Sequence, residues 1–126
     1  MIPQAVSAYY VALDAGDDDG AAAAFSEDAV YIRPALGGRG IEIARGRAAI
    51  RELFARRAAR KQLGENLHQH ELRAVAVDGS ECFIEGVGVT HDGPFAVFLA
   101  HATVGDHGLI TRYIGTLAET PGGFDA

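Results

Sequence analysis

The chain has 126 residues, of which 48% are hydrophobic and 22% are charged. This composition predicts one soluble globular domain spanning 1–126, because two halves of about 60 residues would each have too small a core. The formal net charge of −6 argues against a nucleic-acid partner, since a phosphate backbone attracts basic surfaces. The sequence shows neither an apolar stretch long enough to cross a membrane nor a secretory signal pattern. Its single cysteine, Cys82, excludes an internal disulfide framework, and we therefore expect a reducing, cytoplasmic setting.

The first half of the chain has a helical period. Apolar residues recur every three or four positions and predict a first helix that ends at Gly16; they are Ile2, Val6, Tyr9 and Leu13. A short helix is then predicted over 17–25, a strand over 29–33, and a glycine-containing loop or irregular hairpin over 34–46. A third helix follows this segment. Within the loop, the composition of 37–40 favours a flexible lid over a phosphate-binding loop.

From about residue 66 the period changes to two. Strands are predicted over 66–77, 81–91, 95–104 and 109–118, with hairpin turns between them. Residues 119–126 are predicted to form a flexible tail. Helices followed by a strand meander indicate an α+β fold, in which the helices cover one face of a strongly bent sheet.

Three segments carry a resemblance to a known family. They read YYVALDAGD at 9–17, FSEDAV at 25–30 and GRAAIRE at 46–52. They resemble the ketosteroid isomerase and SnoaL-like polyketide cyclase group of the nuclear transport factor two-like superfamily, and the likeness runs over about 6–117. The resemblance implies a cone-shaped, mixed or antiparallel sheet whose concave face is covered by three N-terminal helices. It also implies a cavity for a small apolar or aromatic ligand, and a homodimer formed through the outer face of the sheet.

The resemblance places only part of the isomerase machinery on this chain. Ketosteroid isomerase combines an aspartate base with an oxyanion hole made by a tyrosine and a protonated aspartic acid. Tyr9 falls on the tyrosine, but Arg33 replaces the base and Ala100 replaces the protonated acid. Phe54 replaces a supporting tyrosine. Because an arginine stays protonated at neutral pH, the family's isomerisation of ketosteroids is not expected.

The resemblance also predicts which side chains face the cavity. It turns Tyr31 and Arg33 inward from the first strand, and Phe83, Glu85 and Val87 inward from a later one. Arg33 and Glu85 would then either meet inside the cavity or reach solvent at its mouth. The ligand-binding candidates are Leu13, Tyr31, Phe54, Phe83, Val87, Ala100 and Tyr113.

The catalytic candidates are Tyr9, Arg33 and Glu85. In this interpretation Tyr9 donates a hydrogen bond to a carbonyl or enolate oxygen, and Arg33 stabilises negative charge or grips a carboxylate. Glu85 or a histidine moves the proton. The resulting hypothesis is isomerase, lyase or cyclase chemistry on a small carbonyl- or carboxylate-bearing molecule. Loss of the family's aspartates favours the alternative, a non-catalytic binding or accessory protein.

Three histidines allow further interpretations. His68 and His70 share one face of a strand, and with His101 they could supply three nitrogens to a metal. Structural or dimer-face positions are favoured, since no carboxylate completes a metal-binding pattern, and we expect no metal and no cofactor. Scytalone dehydratase, a relative in the superfamily, removes water with paired histidines, a tyrosine and an aspartate. His68 or His101 with Tyr9 could imitate that arrangement.

Overall fold

The computed structural model describes residues 1–35, 40–64, 67–119 and Phe124. Its helices and strands in chain order are α1 (Gln4–Ala15), α2 (Asp18–Ala23), β1 (Phe25–Pro34), β2 (Ile41–Arg45), α3 (Arg47–Gln62), β3 (Gln69–Asp78), β4 (Glu81–Thr90), β5 (Gly93–Val104) and β6 (Ile110–Glu119). The strands form one sheet in the order β2-β1-β6-β5-β4-β3. β1 runs parallel to β6 and the other neighbours are antiparallel, so the sheet is mixed. The predicted α+β fold is confirmed.

Helix α1 ends where the sequence predicts, but it begins at Gln4, so Ile2 of the predicted stripe lies before the helix. The backbone amide of Val6 donates to the carbonyl of Pro3, which starts the first turn. Gly16 ends the helix in the left-handed conformation, with φ of 76°, which glycine adopts without steric cost. The predicted stripe is buried: Val6, Tyr9 and Leu13 all pack into the core. This helix therefore turns Tyr9 toward the interior.

Several segments differ in detail from the sequence prediction. Strand β1 begins at Phe25, within the predicted short helix and four residues before the predicted strand. The segment predicted as a loop or irregular hairpin contains strand β2, which pairs antiparallel with β1, so the hairpin alternative is correct. The predicted lid lies, apart from Gly40, outside the described residues. In the predicted tail, Glu119 is the last residue of β6, and the Phe124 amide donates to the Pro94 carbonyl at 3.4 Å. The rest of that tail lies outside the described residues.

The three helices pack against one face of the sheet, with α3 against β1 and β2 and α1 reaching β3. Register shifts interrupt the ladders, for example between Leu72 and Ala74 and between Gly88 and Val89. Such shifts bend and twist a strand, and they let the sheet curve around the helices. None of the described helices is both long and apolar enough to cross a membrane.

Candidate functional site

All four tyrosines of the chain lie in the core between helices and sheet. Their hydroxyls meet in pairs: Tyr9 and Tyr31 at 2.6 Å, and Tyr10 and Tyr113 at 2.7 Å. The adjacent positions 9 and 10 on α1 thus reach two different strands, β1 and β6. Burial raises the pKa of all four phenols, most strongly for Tyr9 and Tyr113. The four groups are therefore neutral hydrogen-bond donors at physiological pH.

These hydroxyl pairs retain donor capacity. Each phenol has one proton, and one hydrogen bond within a pair uses one of its two protons. Tyr9 and Tyr113 have ring centroids 5.1 Å apart. If the hydroxyls of Tyr9 and Tyr113 also shared a hydrogen bond, the four hydroxyls would form a chain with three hydrogen bonds. One of the four phenol protons would still remain for another acceptor. A buried donor without an acceptor costs about 1–3 kcal/mol, so this interior favours a ligand or water oxygen.

Aromatic rings surround Tyr9. Its ring centroid lies 5.3 Å from that of Phe25 and 5.6 Å from that of Phe54, while Tyr31 and Tyr113 stack at 4.9 Å. The candidates that share this core cluster with Tyr9 are Leu13, Tyr31, Phe54, Ala100 and Tyr113. The structure therefore brings together most of the residues predicted to contact a ligand.

The prediction for β4 is wrong. Phe83 and Glu85 point to the outer face, with Phe83 49% exposed. Val87 has the same strand parity and lines a cleft on that face with Glu85 and Phe124. The inward residues are instead Cys82 and Ile84. Glu85 is therefore not a proton-transfer group of the interior.

Two glycines explain why β4 faces this way. A Cβ atom at Gly86 would lie 2.3 Å from the Phe98 ring, and one at Gly88 would lie 3.2 Å from the Phe95 ring. Both glycines are buried and lie on the same face as Cys82. Glycine therefore makes room for large rings from β5 on the face where Cys82 and Ile84 enter the core.

Arg33 is not paired with Glu85. It lies opposite Glu42 in the hairpin of β1 and β2, and its guanidinium is 3.6 Å from that carboxylate. Arg56 binds the same carboxylate oxygen at 3.0 Å, so two cations share one anion. The buried Nε of Arg33 has no hydrogen-bond partner among the described residues. The two arginines therefore carry one more positive charge than Glu42 neutralises, and the Nε–H of Arg33 remains an unused donor beside Tyr31.

A polar cluster that the sequence interpretation missed lies where α1 ends and β3 begins. The His70 ring nitrogen Nδ1 lies 2.6 Å from Asp14 Oδ1, and the backbone amide of His70 donates to Asp14 Oδ2 at 2.9 Å. The Arg57 guanidinium donates to the carbonyls of Leu13 (2.8 Å) and His68 (2.5 Å). Asp14 follows Tyr10 by four residues, one helical turn. In the sequence, the spacing between Tyr10 and Asp14 is the only signal that could have indicated this polar cluster.

The other histidines do not form the predicted arrangements. The ring of His68 packs 4.7 Å from that of His70, and burial, with the nearby His70 and Arg57, lowers its pKa to about 4. His101 lies on the outer face, where its ring stacks on Phe83 at 4.5 Å and its Nε2 meets Glu81 at 2.7 Å. In the described part of the chain, no group of three metal-ligating side chains could hold a metal ion.

A cleft of about 410 Å³ lies beside His70. Its lining residues are Leu67, Gln69, His70, Glu71, Val89, Thr90 and His91. A second cleft of about 200 Å³, on the outer face, is the one lined by Glu85 and Val87. Neither of these two clefts includes Tyr9, which is 1% exposed.

Solved structures share this fold at low sequence identity. A proposed polyketide cyclase from Sinorhizobium meliloti is 23% identical, with a TM-score of 0.68 over 90% of this chain and 94% of the other. A proposed SnoaL-like isomerase from Agrobacterium tumefaciens is 18% identical, with a TM-score of 0.70 over 90% and 94%. A protein from Catenulispora acidiphila with a ketosteroid isomerase-like fold, bound to trimethylamine, is 19% identical, with a TM-score of 0.71 over 96% and 88%.

Family assignment rests on the sequence match. Among curated proteins, none matches the chain. The family model of the SnoaL-like domain matches residues 6–113, which is most of the chain. This range contains α1, the aromatic core and the hydroxyl pairs. The chain therefore belongs to the SnoaL-like domain family.

Proposed function

We propose that this protein binds a small, largely apolar molecule with a carbonyl or carboxylate group and carries out isomerase-, lyase- or cyclase-type chemistry on it. The observation that carries the proposal is the pairing of four tyrosine hydroxyls inside an aromatic core. Aromatic rings bind the apolar part of such a molecule, and the remaining phenol proton binds its oxygen. The relatives named above as a proposed cyclase and a proposed isomerase support this reaction class.

In this proposal Tyr9 is the donor to the ligand oxygen. Either hydroxyl of this pair can be the donor; in the proposal Tyr31 donates to Tyr9, which leaves the Tyr9 proton for the ligand. Because Tyr9 is 1% exposed, a ligand reaches its hydroxyl only when a neighbouring side chain moves. The ring centroid of the adjacent Tyr10 lies 4.7 Å from that of Tyr9 and 5.2 Å from that of His70, which lines the 410 Å³ cleft.

A non-catalytic binding protein is the alternative, and the arginine at position 33 favours it. Arg33 can hold an anionic group without moving a proton. Binding without chemical change to the ligand would support this alternative.

The Arg33 role is tested with two ligands that share one ring system. The wild-type protein is expected to bind 2-naphthoate more tightly than the neutral 2-acetylnaphthalene in calorimetric titrations. Arg33→Ala is expected to weaken naphthoate about fivefold, near 1 kcal/mol, as a partly exposed ion pair allows. Binding of acetylnaphthalene is expected to change less than twofold.

Arg56→Ala is the matched control for Arg33→Ala. Both arginines bind Glu42, but the Arg56 side chain is 67% exposed. It is expected to leave the affinity for both ligands unchanged. Equal weakening of both ligands by Arg33→Ala would contradict the carboxylate role, and absence of binding by the wild type would contradict the proposed function.

We also propose a homodimer that forms through the outer face of the sheet. Phe83, Val97 and Leu99 lie on that face and are 49%, 38% and 56% exposed. Leu99 is paired with Glu85 across the β4–β5 ladder, two positions from Phe83. Contiguous apolar surface of this kind favours association with a second copy, because burial removes it from water.

Light scattering during size exclusion tests the dimer. The wild type is expected to have twice the 13.2 kDa chain mass, and Leu99→Glu is expected to elute with the single-chain mass, since burying its charge is costly. Val11→Glu, at an exposed apolar residue of α1, is the control and should keep the dimer mass. A stable 13.2 kDa particle for the dilute wild type would refute the dimer.

A further inference from the structure

Asp14 and His70 form a paired carboxylate and imidazole at the edge of the aromatic core. The pair has two contacts, since Asp14 accepts the backbone amide of His70 as well as its ring nitrogen Nδ1. The side chains are 17% and 11% exposed. The backbone hydrogen bond holds the Asp14 carboxylate in place, and the bond from Nδ1 to the same carboxylate fixes the orientation of the imidazole ring.

These contacts also determine which ring nitrogen can take up a proton. A carboxylate is an acceptor only, so the short Nδ1 contact requires a proton on Nδ1. In the neutral ring the lone pair is then on Nε2. The ring contacts Tyr10 and Phe98, with centroids 5.2 Å away in each case, and His70 lines the 410 Å³ cleft.

The groups around His70 supply its electrostatic environment. On α1 and α3 they are Asp14, Tyr10 and Arg57, whose guanidinium lies 4.0 Å from Asp14. Just before β3 the neighbour is His68, whose lowered pKa makes it neutral near pH 7. Opposite His70 on β4 is Gly88, which has no side chain. Asp14 is thus the charged group in direct contact with the His70 ring.

We propose that His70 is the proton-transfer base of the interior site, with Nε2 as the accepting atom and Asp14 as the residue that positions it. The substrate class is a molecule with an acidic C–H bond next to a carbonyl group. This inference rests on the proposed function and assigns the base that neither Arg33 nor Glu85 can supply.

The step is a redox-neutral proton transfer. The substrate C–H bond breaks and an N–H bond forms at Nε2. The C–H electron pair becomes part of a carbon–carbon double bond, and the carbonyl oxygen becomes an enolate oxygen. The spare hydroxyl proton of the tyrosine pairs donates to that oxygen. In a substrate with a carbon–carbon double bond conjugated to this enolate, return of the proton from His70 to the far carbon of the conjugated system completes an isomerisation.

Ring opening of 5-nitrobenzisoxazole tests the base with a defined probe. A base removes the carbon-bound proton, the ring N–O bond breaks, and a nitrile and a coloured phenolate form without a co-reactant. The wild type is expected to accelerate this reaction with saturation. His70→Gln is expected to lower kcat/KM at least about 100-fold, the usual contribution of a positioned base. Its fold is checked by circular dichroism.

His107→Gln is the control, because His107 is an exposed histidine of the turn between β5 and β6 and lines neither of the two clefts. It should leave the rate unchanged. Asp14→Asn should lower kcat about tenfold or more with little change in KM. An amide that donates to Nδ1 would move the ring proton to Nε2 and remove the accepting lone pair.

Nitrogen-15 NMR of the wild-type protein measures directly which ring nitrogen of His70 carries the proton. We expect a protonated Nδ1 and an unprotonated Nε2 on neutral His70, and the reverse in Asp14→Asn. A protonated Nε2 in the wild type, no acceleration by the wild type, or full activity in His70→Gln would each overturn the assignment. If the naphthyl ligands bind and the rate of ring opening does not depend on His70, only the assignment of His70 as the base is wrong. If they fail to bind while ring opening depends on His70, the base stands and the proposed ligand class is wrong.

Discussion

Replacing Arg57 with methionine is expected to lower the free energy of unfolding by about 3 kcal/mol. The Arg57 side chain is 12% exposed and donates to the carbonyls of Leu13 and His68. Burial lowers its pKa, but an arginine stays charged, so methionine removes a cation that three elements share. Methionine keeps a side chain of similar length, leaves two part-buried carbonyls without their donor, and removes the cation 4.0 Å from Asp14, which keeps its contacts with His70. Chemical denaturation monitored by circular dichroism measures the loss.

Arg56→Met is the matched control, one residue earlier on the same helix. Arg56 is 67% exposed, and among the described residues its guanidinium binds one carboxylate oxygen, that of Glu42. Exposed ion pairs contribute about 0–1 kcal/mol, so the control should lose less than 1 kcal/mol. Similar losses in the two variants would contradict the structural role assigned to Arg57.

The sequence does not distinguish these two arginines. Both belong to the basic run of α3, and the helical period marks the apolar face without showing what a polar neighbour meets. The partners of Arg57 come from α1 and β3, which lie 44 and 11 residues away along the chain. Only the tertiary fold brings those carbonyls to it.

Local signals explain why most of the elements could be predicted. The stripe through Val6 and Tyr9 and the stop at Gly16 depend on residues within a few positions of one another. The same holds for the alternation that predicts β3 to β6. Strand β2 is harder to predict because it has five residues and most of them are exposed.

The orientation of β4 shows where such signals fail. The resemblance turns Phe83, Glu85 and Val87 of this strand inward. The core instead takes Cys82 and Ile84, because Gly86 leaves space for the Phe98 ring of the adjacent strand. Which face is buried thus depends on residues of a neighbouring strand, and no pattern within β4 contains that information.

The tyrosine hydroxyl pairs combine one feature that the sequence predicts with one that it does not. The helical stripe and the resemblance predict that Tyr9 faces inward, and the structure places it in the core. Its partner Tyr31 is 22 residues away, and the pair of Tyr10 and Tyr113 spans 103 residues. Sequence patterns identify which tyrosines are buried, but the pairing of their hydroxyls follows from the sheet order that sets β1 beside β6.

Tyr9→Phe is expected to weaken binding of 2-acetylnaphthalene at least tenfold, about 1.4 kcal/mol. The substitution keeps a ring that packs among Phe25, Phe54 and Tyr31 and removes only the donor to the ligand oxygen. It also leaves the Tyr31 hydroxyl without its bonded partner, so stability should fall by about 1 kcal/mol. Calorimetry gives the affinity, and thermal unfolding gives the stability.

Tyr31→Phe separates the two contributions, because it breaks the same hydrogen bond at the other end. Its loss of stability should match that of Tyr9→Phe, but the Tyr9 proton remains free to bind the ligand. Affinity should therefore fall only about two- to threefold, through the lost polarisation of the Tyr9 hydroxyl. Equal affinities for the two variants would show that neither hydroxyl is the specific donor. A Tyr9→Phe variant that loses stability and binds normally would make Tyr9 a structural residue whose hydroxyl serves only its partner.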